Sequence, residues 1–180
     1  MTAKYKAIDI ANIYIRLAND IQNDFMDNLK INKLLYYAQG WSLAKFGIPL
    51  FDEKIEAWDY GPVVPEVYHT FKCCGKDPIN EPQDIFDESR LSTDELELLV
   101  DVYNAYGKYT GWALKEMTHE KGSPWHQVYE KGKNNTISND LIKAYFEKKS
   151  LETFDVDSIN LPEITQIPVG WDSQEDNIYG

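Results

Sequence analysis

KLLYYAQGWSLAKFGIPLF, residues 33 to 51, reads as a helix and its stop. With Ile31 just before it, Leu34, Leu35, Ala38 and Trp41 recur at three- and four-residue spacing and form one stripe, which Tyr37 and Ala44 widen to nearly half the cylinder. A stripe that broad suits a helix at the centre of a domain. Gly47 can take the left-handed conformation that closes a helix, and Pro49 cannot continue one, so the end falls there.

Working outward, Ile10, Tyr14, Leu17 and Ile21 predict an amphipathic helix over about residues 7 to 23. On the other side the period changes, because Ile55 and Ala57 alternate with Glu56, Trp58 and Tyr60 as along a short extended segment. Gly61-Pro62 breaks that segment. Pro65 suits the first turn of a helix carrying Val64, Val67, Tyr68 and Phe71 and stopping at Gly75. Residues 76 to 91, with two prolines and many acids, read as an exposed connection. Ser92 and Glu95 then form a capping box, and Leu96, Leu99, Val100 and Tyr103 give the buried face of a helix to about Tyr106.

Thr110 caps a short helix through Met117, Ser123-Pro124 starts another with Trp125 and Val128, and Ser138 to Lys148 forms the last, with Leu141, Ile142, Tyr145 and Phe146 on one face. The fold class expected is mainly α: a single compact multi-helix domain over residues 1 to 149, with one short β-hairpin or extended segment. Residues 150 to 180 have no Lys or Arg and no helical period, and form an irregular, acidic, proline-containing C-terminal extension. Its Ile159, Leu161, Ile164 and Ile167 are expected to dock in extended form on the domain or on a partner.

Composition narrows the function classes. A formal net charge of -12 disfavours direct binding to nucleic acid or to an anionic membrane, and favours a basic partner. Lys30, Lys33 and Lys45 do lie among Tyr36, Tyr37 and Trp41, an interleaving used by single-strand binders, yet those aromatics belong to the core stripe. No run approaches the length of a membrane span, and the start lacks the apolar core of a signal peptide, so a cytoplasmic location is expected. Cys73 and Cys74 are adjacent, which excludes CxxC spacing.

HEKGSPWH, from His119 to His126, has Ser123 where a zinc-protease helix needs its second histidine, so no metal site is expected; His119 is expected to hydrogen-bond near a helix end. No dinucleotide fingerprint, phosphate loop or nucleophile elbow is found, and no cofactor is expected. The weakest reading, an enzyme, rests on His119 and Glu120 beside aromatic residues.

The order and spacing of KLLYYAQGWSLAKFGIPLF, then EAWDYGPVVPEVY at residues 56 to 68, then THEKGSPW at 118 to 125, resemble the Panacea domain of SocA-like and phage-associated GepA-like antitoxins. The resemblance covers about residues 7 to 148. It implies a bacterial or phage protein, non-enzymatic, that neutralises a cognate protein toxin by direct binding, with a ClpXP-type protease as a further partner where a relative acts as a proteolytic adaptor. The alternative is a phage or prophage accessory protein that binds a host protein. Many relatives carry an added DNA-binding module, and none is expected within these 180 residues. The motif positions offered as partner-binding are Lys33, Tyr37, Trp41, Trp58, Tyr60, Pro62, His119 and Trp125. For Trp58 and Tyr60 core burial and an open interface both remain in view.

Overall fold

The computed structural model describes residues 3–20, 24–83 and 86–151. The chain runs through α1 (Ala7–Asp20), α2 (Asn28–Phe46), β1 (Ile55–Trp58), β2 (Gly61–Val63), α3 (Pro65–Thr70), α4 (Thr93–Tyr106), α5 (Gly111–Thr118), α6 (Pro124–Val128), β3 (Asn135–Ile137) and α7 (Asn139–Leu151), and is mainly helical, as expected.

Helix α2 is the axis. Asp27 caps its N-terminus by accepting from the Lys30 N–H, and Gly47, at φ 73°, closes it with a bond from its own N–H to the Leu43 carbonyl. Every residue from Asn28 to Leu43 is buried, well beyond the half-cylinder that the apolar stripe predicts. The reason is its surroundings: α1, α4, α5 and α7 pack around it, and β2 and α3 close the remainder. Several of its buried polar side chains are turned to backbone or to another polar group, while the Tyr36 hydroxyl is buried without a hydrogen-bond partner among the described residues. The Gln39 amide donates to the Phe51 carbonyl at 3.0 Å and accepts from the Leu50 N–H at 2.9 Å, which ties down the chain after the helix. Asn32 accepts from the Val64 N–H at 2.9 Å, and Asn28 donates to the Tyr68 carbonyl at 2.9 Å, so the entry to α3 hangs on α2.

The sheet is larger than the expected hairpin. β1 pairs antiparallel with β2, Trp58 opposite Gly61, and also with β3, Ile55 opposite Ile137, giving the order β2-β1-β3. The acidic connection is also less exposed than expected, since Ile79 and Phe86 are buried and the Ile79 N–H reaches the Met26 carbonyl at 2.7 Å.

In α4 the capping box forms as the sequence specifies. Its buried face, however, is rotated: Leu98, Leu99, Val102, Tyr103, Ala105 and Tyr106 are buried, Val100 is half-buried, and Leu96 is 39% exposed. Glu95 lies on that buried face, with its Oε2 accepting from Tyr5 Oη at 2.7 Å, Ser92 N–H at 2.7 Å and Lys4 Nζ at 3.0 Å. Helix α7 runs past Lys148 to Leu151, and of its expected face Ile142 and Phe146 are fully buried while Leu141 and Tyr145 are half-buried. The expected docking of Ile159, Leu161, Ile164 and Ile167 lies outside the described residues.

Candidate functional site at the Lys33 junction

Helix α2 aims Lys33 at the turn between β1 and β2. Its Nζ donates to the Pro62 carbonyl at 3.0 Å, and the side chain is wholly buried. The turn can come this close because Gly61 has no side chain: a Cβ there would stand 2.7 Å from Thr118 Oγ1 and 2.8 Å from Lys33 Cε, and its φ of +99° suits glycine. Thr118 ends α5 and donates its hydroxyl to the Lys115 carbonyl at 2.7 Å.

Ser123 then links two elements. Its hydroxyl donates to the Thr118 carbonyl at 2.7 Å and accepts from the His126 N–H at 3.1 Å, so one side chain joins the end of α5 to the start of α6. Pro124 at the first turn of α6 sets Trp125, whose indole N–H donates to the Trp58 carbonyl at 2.8 Å. His119 stacks on Trp125 at 3.6 Å with ring planes 6° apart, and Tyr129 stacks with Trp125 at 4.4 Å. Tyr129 Oη donates to Asp59 Oδ1 at 3.0 Å, which fixes the tip of the β1–β2 turn. Three stretches distant in sequence therefore meet at one place.

The electrostatics follow from burial. Loss of water pushes the Lys33 amine down to about 7, against the pull of Asp27 and with the help of Lys115. Among the described residues no carboxylate lies within ion-pair distance of it. The His119 imidazole is pushed down to about 3 by burial, with Lys115 and Lys33 adding to the shift, so the ring is neutral at physiological pH. His119 does sit at the end of α5, where its backbone N–H bonds to Glu116 and Lys115 carbonyls. Its ring Nε2 is buried without a hydrogen-bond partner among the described residues, and the ring stacks on Trp125. Among the described residues no group of three or more His, Cys, Asp or Glu is placed to hold a metal ion.

The motif residues separate into two groups. Lys33, Trp58, Tyr60, Pro62, His119 and Trp125 come together at this junction, whereas Tyr37 and Trp41, one and two turns further along α2, meet Tyr106 of α4 instead. There Tyr37 stacks on Tyr106 at 3.9 Å, and Trp41 donates its indole N–H to Tyr106 Oη at 3.1 Å. Lys33, Tyr37, Trp41, Trp58, Pro62 and Trp125 are buried, and Tyr60 and His119 are half-buried. Trp58 is covered by Tyr68, ring to ring at 5.0 Å, and its indole N–H reaches Glu56 at 2.8 Å. Sequence reasoning missed Trp112, half-buried on α5 with its ring 5.7 Å from that of Tyr60, and Asp59, held by Tyr129. Nothing local marks Trp112, because its neighbour Tyr60 belongs to a different element.

A family model described as antitoxin SocA-like, Panacea domain, matches residues 31–126, and so includes Lys33, the Gly61–Pro62 turn and the Thr118–Trp125 block. Among curated proteins, the Antitoxin SocA of Caulobacter vibrioides (strain NA1000 / CB15N) is 33% identical over 113 residues, an alignment covering 57% of this chain and 60% of that relative. The chain thus spans less than two thirds of the relative's length. No solved structure matches. With more than half of its length matched, and the junction inside the match, the chain belongs to the SocA-like antitoxin family and carries its Panacea domain.

Proposed function

We propose that this chain is a non-catalytic antitoxin that neutralises a cognate protein toxin by binding it directly. Membership in the SocA-like family, across the residues that build the junction, carries this reading. The chemistry of the junction agrees with it. An imidazole held near 3 is too weak a base to move protons efficiently at neutral pH, and the buried Lys33 amine is committed to a backbone carbonyl. These groups shape a surface rather than attack a substrate. Aromatic anchors and carboxylates on an acidic chain would supply the contact with a basic toxin.

Co-expression with the product of the neighbouring gene tests the proposal. Growth should be restored, and the two proteins should elute together from a sizing column. Absence of both rescue and complex overturns the reading. Repeating the rescue in a host that lacks a ClpXP-type protease separates the routes: protection that persists means masking, and protection that disappears means delivery for degradation.

A further inference from the structure

The two cysteines stand side by side just beyond α3. Lys72–Cys74 forms a 3-10 turn directly after that helix, inside the stretch KCCGK at residues 72 to 76, and both thiols are free. Cys73 is exposed, whereas Cys74 is half-buried and packs against the edge of the core. The backbone beneath them is fixed. The Cys74 N–H reaches the Phe71 carbonyl at 3.0 Å, the Gly75 N–H the Lys72 carbonyl at 3.1 Å, and the Asp77 N–H the Cys74 carbonyl at 2.9 Å. Buried Phe71 and Ile79 anchor the turn on either side. Gly75 has nothing within 4 Å of where a Cβ would stand, so there is open space beside the pair.

Adjacency decides what such a pair can hold. Consecutive Cα atoms are about 3.8 Å apart, whereas disulfide partners usually stand about 4.4–6.8 Å apart, so a direct S–S bond here is strained. An atom bonded to both sulfurs lifts that constraint, because the sulfurs then need not come within bonding distance of each other. Zinc takes four ligands, and among the described residues no group of three or more His, Cys, Asp or Glu is placed to hold a metal ion. Trivalent arsenic that carries one organic group needs only two sulfurs.

We propose that Cys73 and Cys74 form a dithiol site that captures trivalent arsenicals of the arsenoxide class. The inference goes beyond the antitoxin reading and does not depend on it. In the capture step two S–H bonds and the bonding of arsenic to oxygen break, and two As–S bonds form. Both protons leave with the oxygen as one water; arsenic stays trivalent, and no oxidant or reductant is consumed. Burial pushes the Cys74 thiol up, and the Cys73 thiol within hydrogen-bonding reach adds to the shift, which suits a reaction that takes thiols and returns water. Once one sulfur is bound, the other is held beside the arsenic at high effective concentration, so the bridge outlasts an adduct with a single thiol. The bridge also stiffens the turn between Phe71 and Ile79.

Phenylarsine oxide, added to the reduced full-length chain, is the probe. Intact mass should show one arsenical per chain with loss of one water. The adduct should survive about 1 mM glutathione, a monothiol, and be stripped by the dithiol dimercaptopropanol. Hydrogen exchange should slow at least threefold at residues 73 to 77 and stay unchanged in α7. Cys73→Ser and Cys74→Ser should each retain at least tenfold less adduct in glutathione, at melting temperatures within a few degrees of wild type. If Cys74→Ser does not fold, Cys73→Ser, at an exposed position, decides alone. Two arsenicals per chain, an adduct that survives glutathione in a serine variant, exchange that slows elsewhere but not at 73 to 77, or no adduct at all overturns the proposal. So does an intramolecular disulfide, formed with oxidised glutathione, that persists in the same concentration of reduced glutathione, because the pair then closes without a bridging atom.

Discussion

A buried amine without a carboxylate costs folding energy, and the cost depends on its charge. Lys33 is depressed from an ordinary 10.5 to about 7, so between those values the unfolded chain binds a proton that the folded one does not. Stability contributed through this residue therefore rises as pH rises through that window. Lys33→Met removes the titration together with the bond to Pro62. Denaturant unfolding of wild type and variant at pH 6.5 and 9.5 should show the gap moving in favour of wild type at the higher pH, by on the order of 1 kcal/mol per pH unit. Parallel curves would mean that the amine is not desolvated. His119 asks a different question, since its flat stack on Trp125 gives the ring a packing role. His119→Ala is expected to cost about 1 kcal/mol and His119→Phe much less; loss of protection in the Phe variant at unchanged stability would require a role for the imidazole that stacking does not supply.

At the scale of elements, the approach of α7 to α2 is decided by one atom that is absent. A Cβ on Gly40 would fall 2.3 Å from Phe146 Cε2, inside a buried ring that also meets Tyr36 at 5.5 Å and Trp41 at 5.2 Å edge to face. Alanine favours a helix interior over glycine by about 1 kcal/mol, but overpacking of this kind costs about 1–3 kcal/mol. Gly40→Ala should therefore destabilise, and Gly40→Ala with Phe146→Leu should recover part of the loss; a stabilised single variant would show that α7 can shift aside. The same contact marks where sequence reading stops. The α2 stripe, the Gly47 stop, and the Ser92 and Thr110 caps are written within a few residues of where they act, and all can be read from the chain. Gly40 reads as an ordinary weak point until Phe146 is placed against it. β3 is three residues long, and its register depends on Ile55 far upstream. The burial of Lys33 depends on a carbonyl 29 residues away, so a lysine inside an apolar stripe gave no local sign of its direction. For the same reason the motif residues could be named while their division between the Lys33 junction and the contacts with Tyr106 could not.

For the molecule as a whole, the titrations of three buried or half-buried groups add with one sign. Burial alone would raise Glu95, but the Ser92 N–H, the Tyr5 hydroxyl and the Lys4 ammonium outweigh it and hold the carboxyl at about 2, so its contribution is present above the ordinary 4.5 and is lost as pH falls toward 2. His119, brought from 6.5 to about 3, likewise loses stability as pH falls through that range, because the unfolded imidazole takes up a proton that the folded one does not. Lys33 continues the rise from about 7 upward. The limit comes from Tyr14, Tyr36 and Tyr37, raised well above 10 by burial, which favour the unfolded chain once its tyrosines ionise. Repulsion within an acidic chain opposes the alkaline limb, but it acts mainly between solvent-exposed charges and is screened at 0.3 M salt. Thermal melting in that salt should therefore give midpoints that climb from pH 4 through 7 to a maximum near 9 and fall above about 10.5. In Glu95→Gln the acid limb should become shallower while the limb above 7 is unchanged, and in Lys33→Met the reverse. A maximum at pH 5 to 6 in the wild type would show that these groups do not govern the stability of the fold.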